Sequence, residues 1–269
     1  MLRISLSGCG WLFPYHVGVL QGLKRSGVII RSEVEEVSSV VYSGVSGGSL
    51  IAVAEAAGIS SEDQLDAANA ANRAIRKNPR LSFWGSGRAV LRDVLNDLLP
   101  HDVHLLIRGR VEIGIQKRLL GKAHVFTDFR SKDDLIGAIL ASCHVPIYMD
   151  GRTVFCQWRG TEWVDGGLWD ILPPSPSHMH SQTNEKSNEG RVAMTEYKSL
   201  PYYPMAYLRG DQDRIISPRS SEFGLFGELL SWTFVPPSDV YDMHRLAEVG
   251  CADARRFLKE EKRRSISGV

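Results

Sequence analysis

The chain has 269 residues, of which 43% are hydrophobic and 23% charged, and carries a net charge of +1; this excludes an extended disordered polymer and any global electrostatic field for nucleic acid. Its cysteines, Cys9, Cys143, Cys156 and Cys251, lie far apart without CxxC spacing, which argues against a zinc site or a dense disulfide framework and fits a reducing compartment. The opening Met1-Leu2-Arg3 passes at once into a short, glycine-broken apolar stretch unlike a secretory leader, and nothing later approaches ~18 consecutive apolar residues, so a soluble or peripherally membrane-bound protein is expected.

Residues 2–6 alternate as a short strand, Gly8-Cys9-Gly10 breaks it, and 15–25 have helical spacing that stops at Gly27, a suitable C′ residue. An apolar run at 37–42 predicts the next strand. It leads into Gly44-Val45-Ser46-Gly47-Gly48 and then a helix-forming run at 49–57 ended by Gly58. Ser60-Ser61-Glu62-Asp63 reads as the cap of a helix reaching about residue 77, and a third helix is predicted over 88–99. Strands follow at 111–116 and 124–128; Ser131 caps a helix to about Cys143 that Val145-Pro146 terminates. Residues 153–158 and 161–164 predict a hairpin running into Asp165.

Residues 174–191 have the composition of a flexible exposed loop, 205–208 predict a strand that rejoins the sheet, and 238–264 predict a last helix. The segment 255–269 holds its basic end, including Lys259, Lys262, Arg263 and Arg264. The alternation of strands and helices points to an α/β fold with a mostly parallel sheet and helices on both faces, in one domain over 1–269.

Three features carry chemistry. The turn at Ser46 joins a strand to a helix, the layout of a nucleophile elbow: the serine is held in a strained conformation with Oγ exposed, and flanking glycines let strand and helix approach. Gly8-Cys9-Gly10 lies between a strand and a helix, where backbone N–H groups are free to face an anion. Asp165-Gly166-Gly167 ends a strand, and the two glycines leave room for the aspartate to reach a serine on a neighbouring strand. Separately, each of these is a common turn; in this order they form a constellation.

With these residues in view the chain resembles the patatin-like phospholipase family, within it the adiponutrin and adipose triglyceride lipase branch. The run Ile4-Ser5-Leu6-Ser7-Gly8-Cys9-Gly10-Trp11-Leu12 resembles that branch's first strand and oxyanion loop, and Tyr15-His16-Val17-Gly18-Val19 resembles the start of its first helix. Gly44 to Gly48 matches the elbow, and Asp165, Gly166 and Gly167 with Leu172-Pro173 match the aspartate motif. The likeness covers most of 1–175.

The resemblance implies a three-layer α/β/α fold and a Ser-Asp dyad, with Ser46 as nucleophile and Asp165 as base, Gly44, Gly48, Gly166 and Gly167 supporting them, and no histidine. Backbone N–H groups of Gly8, Cys9 and Gly10 would form the oxyanion hole. It further implies hydrolysis of glycerolipid acyl esters, either triacylglycerol or phospholipid, through an acyl-Ser46 intermediate. The protein would be cytoplasmic and peripheral to a membrane or lipid-droplet surface, without nucleic-acid partner. An acylglycerol or phospholipid acyltransferase, or a lipid-surface binding protein with weak hydrolysis, is the alternative. The loop departs from the family's GxGxxG pattern, because Phe13 stands at its last glycine; Phe13-Pro14 would reshape the loop and shift the acyl channel.

A competing α/β-hydrolase triad would need Ser46, an aspartate and then a histidine such as His244, but that fold sets several strands before its elbow and only about two precede Ser46. His101, His104 and His144 lack HExxH or comparable spacing, so neither a metal nor a cofactor is expected. Trp11-Leu12-Phe13 and the segment 223–235, with Phe223 and Phe226, supply large apolar side chains for an acyl channel or a lipid-facing surface.

Overall fold

A computed structural model describes residues 2–29, 40–76, 83–118, 123–168, 195–199, 201, 214–218, 232–235 and 240–267. Strand β1 (Leu2–Leu6) and β2 (Val40–Val45) are nearly continuous runs of buried residues, the pattern of strands covered on both faces. β1 runs parallel to β2 and to β7 (Thr195–Ser199), β2 parallel to β3 (Val111–Lys117), and β7 parallel to β8 (Ile215–Ile216). The antiparallel pairs are β3 with β4 (Ala123–Phe126), β3 with β6 (Thr161–Asp165), and β6 with β5 (Cys156–Trp158). These eight strands form one sheet along the path β5-β6-β3-β2-β1-β7-β8, with β4 beside β3 off that path. The fold is α/β with a mostly parallel central sheet.

The pairing of β3 fixes the geometry of everything that follows. β4 occupies one edge of β3 along Ile113–Gln116, and a strand has only two edges. β2, paired from Tyr42↔Val111 to Val45↔Gly114, and β6, paired from Asp165↔Ile115 to Trp163↔Lys117, therefore share the other edge. They run in opposite directions and meet head to head between Gly114 and Ile115. The residue after Val45 is Ser46, and the last residue of β6 is Asp165.

The helices are α1 (Phe13–Arg25), α2 (Gly47–Ala56), α3 (Ser61–Arg76), α4 (Phe83–Leu98), the single turn α5 (Val103–Leu106), α6 (Lys132–Ser142) and α7 (Val240–Ser267). The serine caps sit where the sequence predicts them: Ser60 Oγ accepts the Asp63 N–H at 3.0 Å and Ser131 Oγ the Asp134 N–H at 3.1 Å. Gly27 takes a φ of 73° beyond the end of α1.

Three differences from the sequence reading stand out. Helix α2 begins at Gly47 rather than Ser49, so Ser46 is itself the residue before the helix. Strand β7, the edge strand β8 and the turn α5 were not anticipated; β7 reads Thr-Glu-Tyr-Lys-Ser, with a single large apolar residue, and joins the sheet through backbone pairing to β1. Residues 37–39, 174–191, 205–208 and 223–226, which carry other expectations, lie outside the described residues.

Helices α1 and α7 pack almost backbone to backbone. A Cβ on Gly18 would fall on the Ala247 carbonyl, one on Gly22 would reach Ala254 Cβ at 2.7 Å, and one on Gly250 would fall on the Tyr15 carbonyl. Tyr15 then donates its hydroxyl to Asp253 at 3.0 Å. Across the sheet, buried Arg3 bonds Ser43 Oγ at 3.1 Å and Glu112 at 2.7 Å, tying β1, β2 and β3 in one register. Gly18→Val should therefore push α1 off α7 and destabilise the protein by at least about 1–3 kcal/mol, read as a lower midpoint in thermal denaturation; an unchanged midpoint would show that this contact does not hold the helices.

Candidate active site

Ser46 adopts φ 49° and ψ −129°, a backbone region that non-glycine residues avoid at a cost of about 1–3 kcal/mol. Neighbouring hydroxyls hold it there. The Ser46 N–H donates to Ser142 Oγ at 2.9 Å, Ser142 Oγ donates to the Gly114 carbonyl at 2.7 Å, and Ser49 Oγ donates to the Ser46 carbonyl at 2.6 Å. The elbow also needs its glycines: a Cβ on Gly44 would strike the Gly48 carbonyl, and one on Gly48 the carbonyls of Leu6 and Ser7.

Ser46 Oγ donates to Asp165 Oδ2 at 2.6 Å, and Asp165 Oδ1 accepts the Gly167 N–H, also at 2.6 Å. A Cβ on Gly166 would collide with Val45 and the Gly114 carbonyl, and one on Gly167 would press on Asp165 Oδ1 at 3.1 Å. Gly166 thus serves the close approach of β6 to the end of β2, and Gly167 leaves room for the Asp165 carboxyl. Asp165 is only 3% exposed. Burial pushes its carboxyl up to about 6, against the pull of the hydrogen bonds from Ser46 and Gly167.

The other reactive groups nearby are quiet. Cys9 and Cys143 are buried beside this pair, and burial raises both thiols, with Asp165 adding to the effect; both remain protonated and weakly nucleophilic at neutral pH. The histidine weighed for a triad, His244, is exposed on α7, and the partner of Ser46 Oγ is a carboxylate. Among the described residues no three or more His, Cys, Asp or Glu side chains are placed to hold a metal ion.

Ser46 and Asp165 open into a cavity of about 420 Å³ whose wall also includes Gly8, Cys9 and Gly10. That volume suits one small ligand, within the roughly 300–1,000 Å³ typical of such sites. About a third of the lining residues come from two helices that sequence reasoning left without a function. Ala67, Ala68, Ala71 and Ile75 line it from α3, and Val90, Leu91, Val94, Leu95 and Leu98 from α4. Their i, i+3, i+4, i+7 spacing was the available signal. Of the three aromatic-loop residues, Trp11 and Phe13 line the cavity, whereas Leu12 is fully buried in the main core. Thr233 and Phe234 also line it, and a Cβ on Gly10 would meet the Thr233 carbonyl.

The profile of the family described as patatin-like phospholipase matches residues 4–176. The chain belongs to the patatin-like phospholipase family. Among curated relatives, the human patatin-like phospholipase domain-containing protein 4 is 29% identical over 181 residues, 65% of this chain and 68% of that protein. Human 1-acylglycerol-3-phosphate O-acyltransferase PNPLA3 is 30% identical over 263 residues, 96% of this chain but 50% of its own length. Mouse omega-hydroxyceramide transacylase is 28% identical over 174 residues, 64% of this chain and 28% of its length. The patatin-like chain thus spans half or less of the last two relatives. Among its described residues no helix is long and apolar enough to cross a membrane.

The buried carboxyl predicts a pH-dependent stability. Its folded-state value, about 6, lies above the ordinary 3.8, so folding favours the protonated form; this stability is complete below pH ~4 and is lost as pH rises through 6. Asp165→Asn removes the penalty and should melt higher than wild type at pH 7.5, by about 3 kcal/mol at ~1.4 kcal/mol per unit. The difference should close below pH 4 in thermal melts; a variant less stable at pH 7.5 would contradict it.

Proposed function

We propose that the protein is a glycerolipid acyl hydrolase that cleaves carboxylic esters through an acyl-Ser46 intermediate, with Asp165 as its base. The observation that carries this reading is the 2.6 Å bond from Ser46 Oγ to Asp165 Oδ2 at the head of an apolar cavity. Asp165 is ionised at neutral pH yet basic enough to take a proton. As Ser46 Oγ attacks the ester carbonyl carbon, its proton passes to Asp165, and the carbonyl oxygen becomes an oxyanion facing the N–H groups of Gly8, Cys9 and Gly10 and the N-terminus of α2. The carbon–oxygen bond to the glycerol then breaks, and its oxygen leaves with the proton from Asp165. Water enters next, gives a proton to Asp165 and attacks the acyl carbon; the proton returns to Ser46 Oγ as the fatty acid departs.

The cavity wall supports a long acyl chain as the part that is bound. Leu168 and Phe234, 40% and 47% exposed, line the cavity and also face solvent, as does Ile147 beside the lining residue Tyr148. Such an apolar rim suits entry from a lipid surface, in keeping with peripheral attachment to a membrane or lipid droplet on the cytoplasmic side, with either triacylglycerol or phospholipid as substrate. Acyl transfer to an alcohol is the second reading. It is favoured by the names of two relatives, an O-acyltransferase and a transacylase; an alcohol would replace water in the second half-reaction.

Fatty-acid release from paired emulsions of triacylglycerol and phosphatidylcholine should appear with wild type and vanish with Ser46→Ala and Asp165→Asn. Its rate should fall about tenfold per pH unit below the Asp165 value near 6. Release that survives Ser46→Ala would remove the nucleophile from the scheme. Filling the cavity from α3 with Ala71→Phe should lower hydrolysis of palmitoyl esters roughly tenfold while leaving butyryl esters nearly unaffected; an equal loss on both would count against α3 as the acyl wall.

A further inference from the structure

His16 is fully buried near the start of α1, and both of its ring nitrogens have partners: Nε2 lies 3.0 Å from the Ser7 carbonyl oxygen and Nδ1 2.7 Å from Ser199 Oγ. A carbonyl oxygen can only accept, so Nε2 carries the proton, Nδ1 of the neutral ring accepts, and the Ser199 hydroxyl donates. Burial lowers the ring to about 4, so this neutral form persists through the working pH range. Ser7 is gripped on its other side as well, because its N–H donates to the Ser199 carbonyl at 3.2 Å.

Ser7 is the residue before Gly8, and the Ser7 carbonyl and the Gly8 N–H belong to one trans peptide unit, in which they point in opposite directions. Fixing the carbonyl on His16 therefore fixes the Gly8 N–H on the opposite side. Glycine tolerates either orientation of the peptide before it, so without an anchor this unit could turn over. A flip would aim a carbonyl oxygen where the proposed mechanism needs a donor. A Cβ on Gly48 would touch the Ser7 carbonyl, so the same oxygen sits against the elbow helix, and Gly8 lines the cavity with Ser46.

We infer that His16 is a positioning residue for the oxyanion loop: its Nε2–H holds the Ser7–Gly8 peptide in the orientation that presents the Gly8 N–H to the oxyanion, and Ser199 locks the tautomer that does so. This rests on the acyl-hydrolase reading, and the test separates the two. Hydrolysis of p-nitrophenyl butyrate by wild type, abolished by Ser46→Ala, first establishes the reaction; its absence would fault the function and leave the tautomer to be judged spectroscopically.

With the reaction in hand, His16→Leu should lower kcat toward the ~10²-fold that loss of one oxyanion donor produces, with KM little changed. His16→Gln, whose amide nitrogen can take the place of Nε2, should restore most of kcat. A folded His16→Leu that keeps wild-type kcat, or a His16→Gln no better than His16→Leu at equal folding, overturns the inference. If neither variant folds, nitrogen-15 spectra of wild type labelled at histidine decide: a buried neutral imidazole protonated at Nε2 and hydrogen-bonded at Nδ1 supports the inference, and protonation at Nδ1 overturns it.

Discussion

Two strands running toward each other along one edge of β3 set the positions of Ser46 and Asp165. Because β2 stops at Gly114 and β6 at Ile115, Ser46 and Asp165 are brought together by backbone pairing before either side chain makes a choice. The local sequence follows from that meeting. Gly166 must lack a Cβ because Val45 and Gly114 already fill the space, and Gly44 and Gly48 must lack one because the chain turns back over the strand end. A slip of one residue in either register would turn Ser46 or Asp165 to the opposite face of the sheet. The buried Arg3 that joins Ser43 and Glu112 guards against such a slip.

The head-to-head arrangement leaves the site as the least comfortable part of the fold. Ser46 sits at a positive φ and Asp165 is an almost fully buried carboxyl, each costing on the order of a few kcal/mol. Both are retained only because their surroundings over-determine them. Ser142 binds the Ser46 N–H while itself donating to Gly114, Ser49 binds the Ser46 carbonyl, and Gly167 donates to Asp165. Helix α1 belongs to the same support: held against α7 through Gly18, Gly22 and Gly250, it carries His16 to the strand end from which the glycine loop departs.

The turns were legible because turn chemistry is local. Gly8-Cys9-Gly10, Gly44 to Gly48 and Asp165-Gly166-Gly167 can be read from residue types alone, as can the caps at Ser60 and Ser131. The pairing that joins Ser46 to Asp165 is not local; it depends on which edge of β3 each strand takes, and no residue type announces that choice. Strand β7 was missed for a related reason, since a strand that enters a sheet through its backbone beside buried β1 needs few apolar residues of its own. The cavity wall was half-legible. The apolar stripes of α3 and α4 have helical spacing, but such a stripe has the same appearance whether it faces a packed core or a void, and only the alanines at 67, 68 and 71 mark the difference.

The basicity of the proposed base has a physical cause in its burial. An exposed aspartate near 3.8 is a poor proton acceptor at neutral pH, whereas Asp165 at about 6 approaches the ~6.5 of an unperturbed imidazole. Burial supplies that shift, and Asp165 sits in the wall of the largely apolar cavity beside Ser46. For the proposed substrate, a wall suited to an acyl chain would also be a wall that strengthens the carboxylate, and an acyl chain in place would exclude further water from it. Under the proposed mechanism histidine is unnecessary: a directly bonded carboxylate, buried at the wall of the cavity, would have the basicity that a triad obtains from its imidazole.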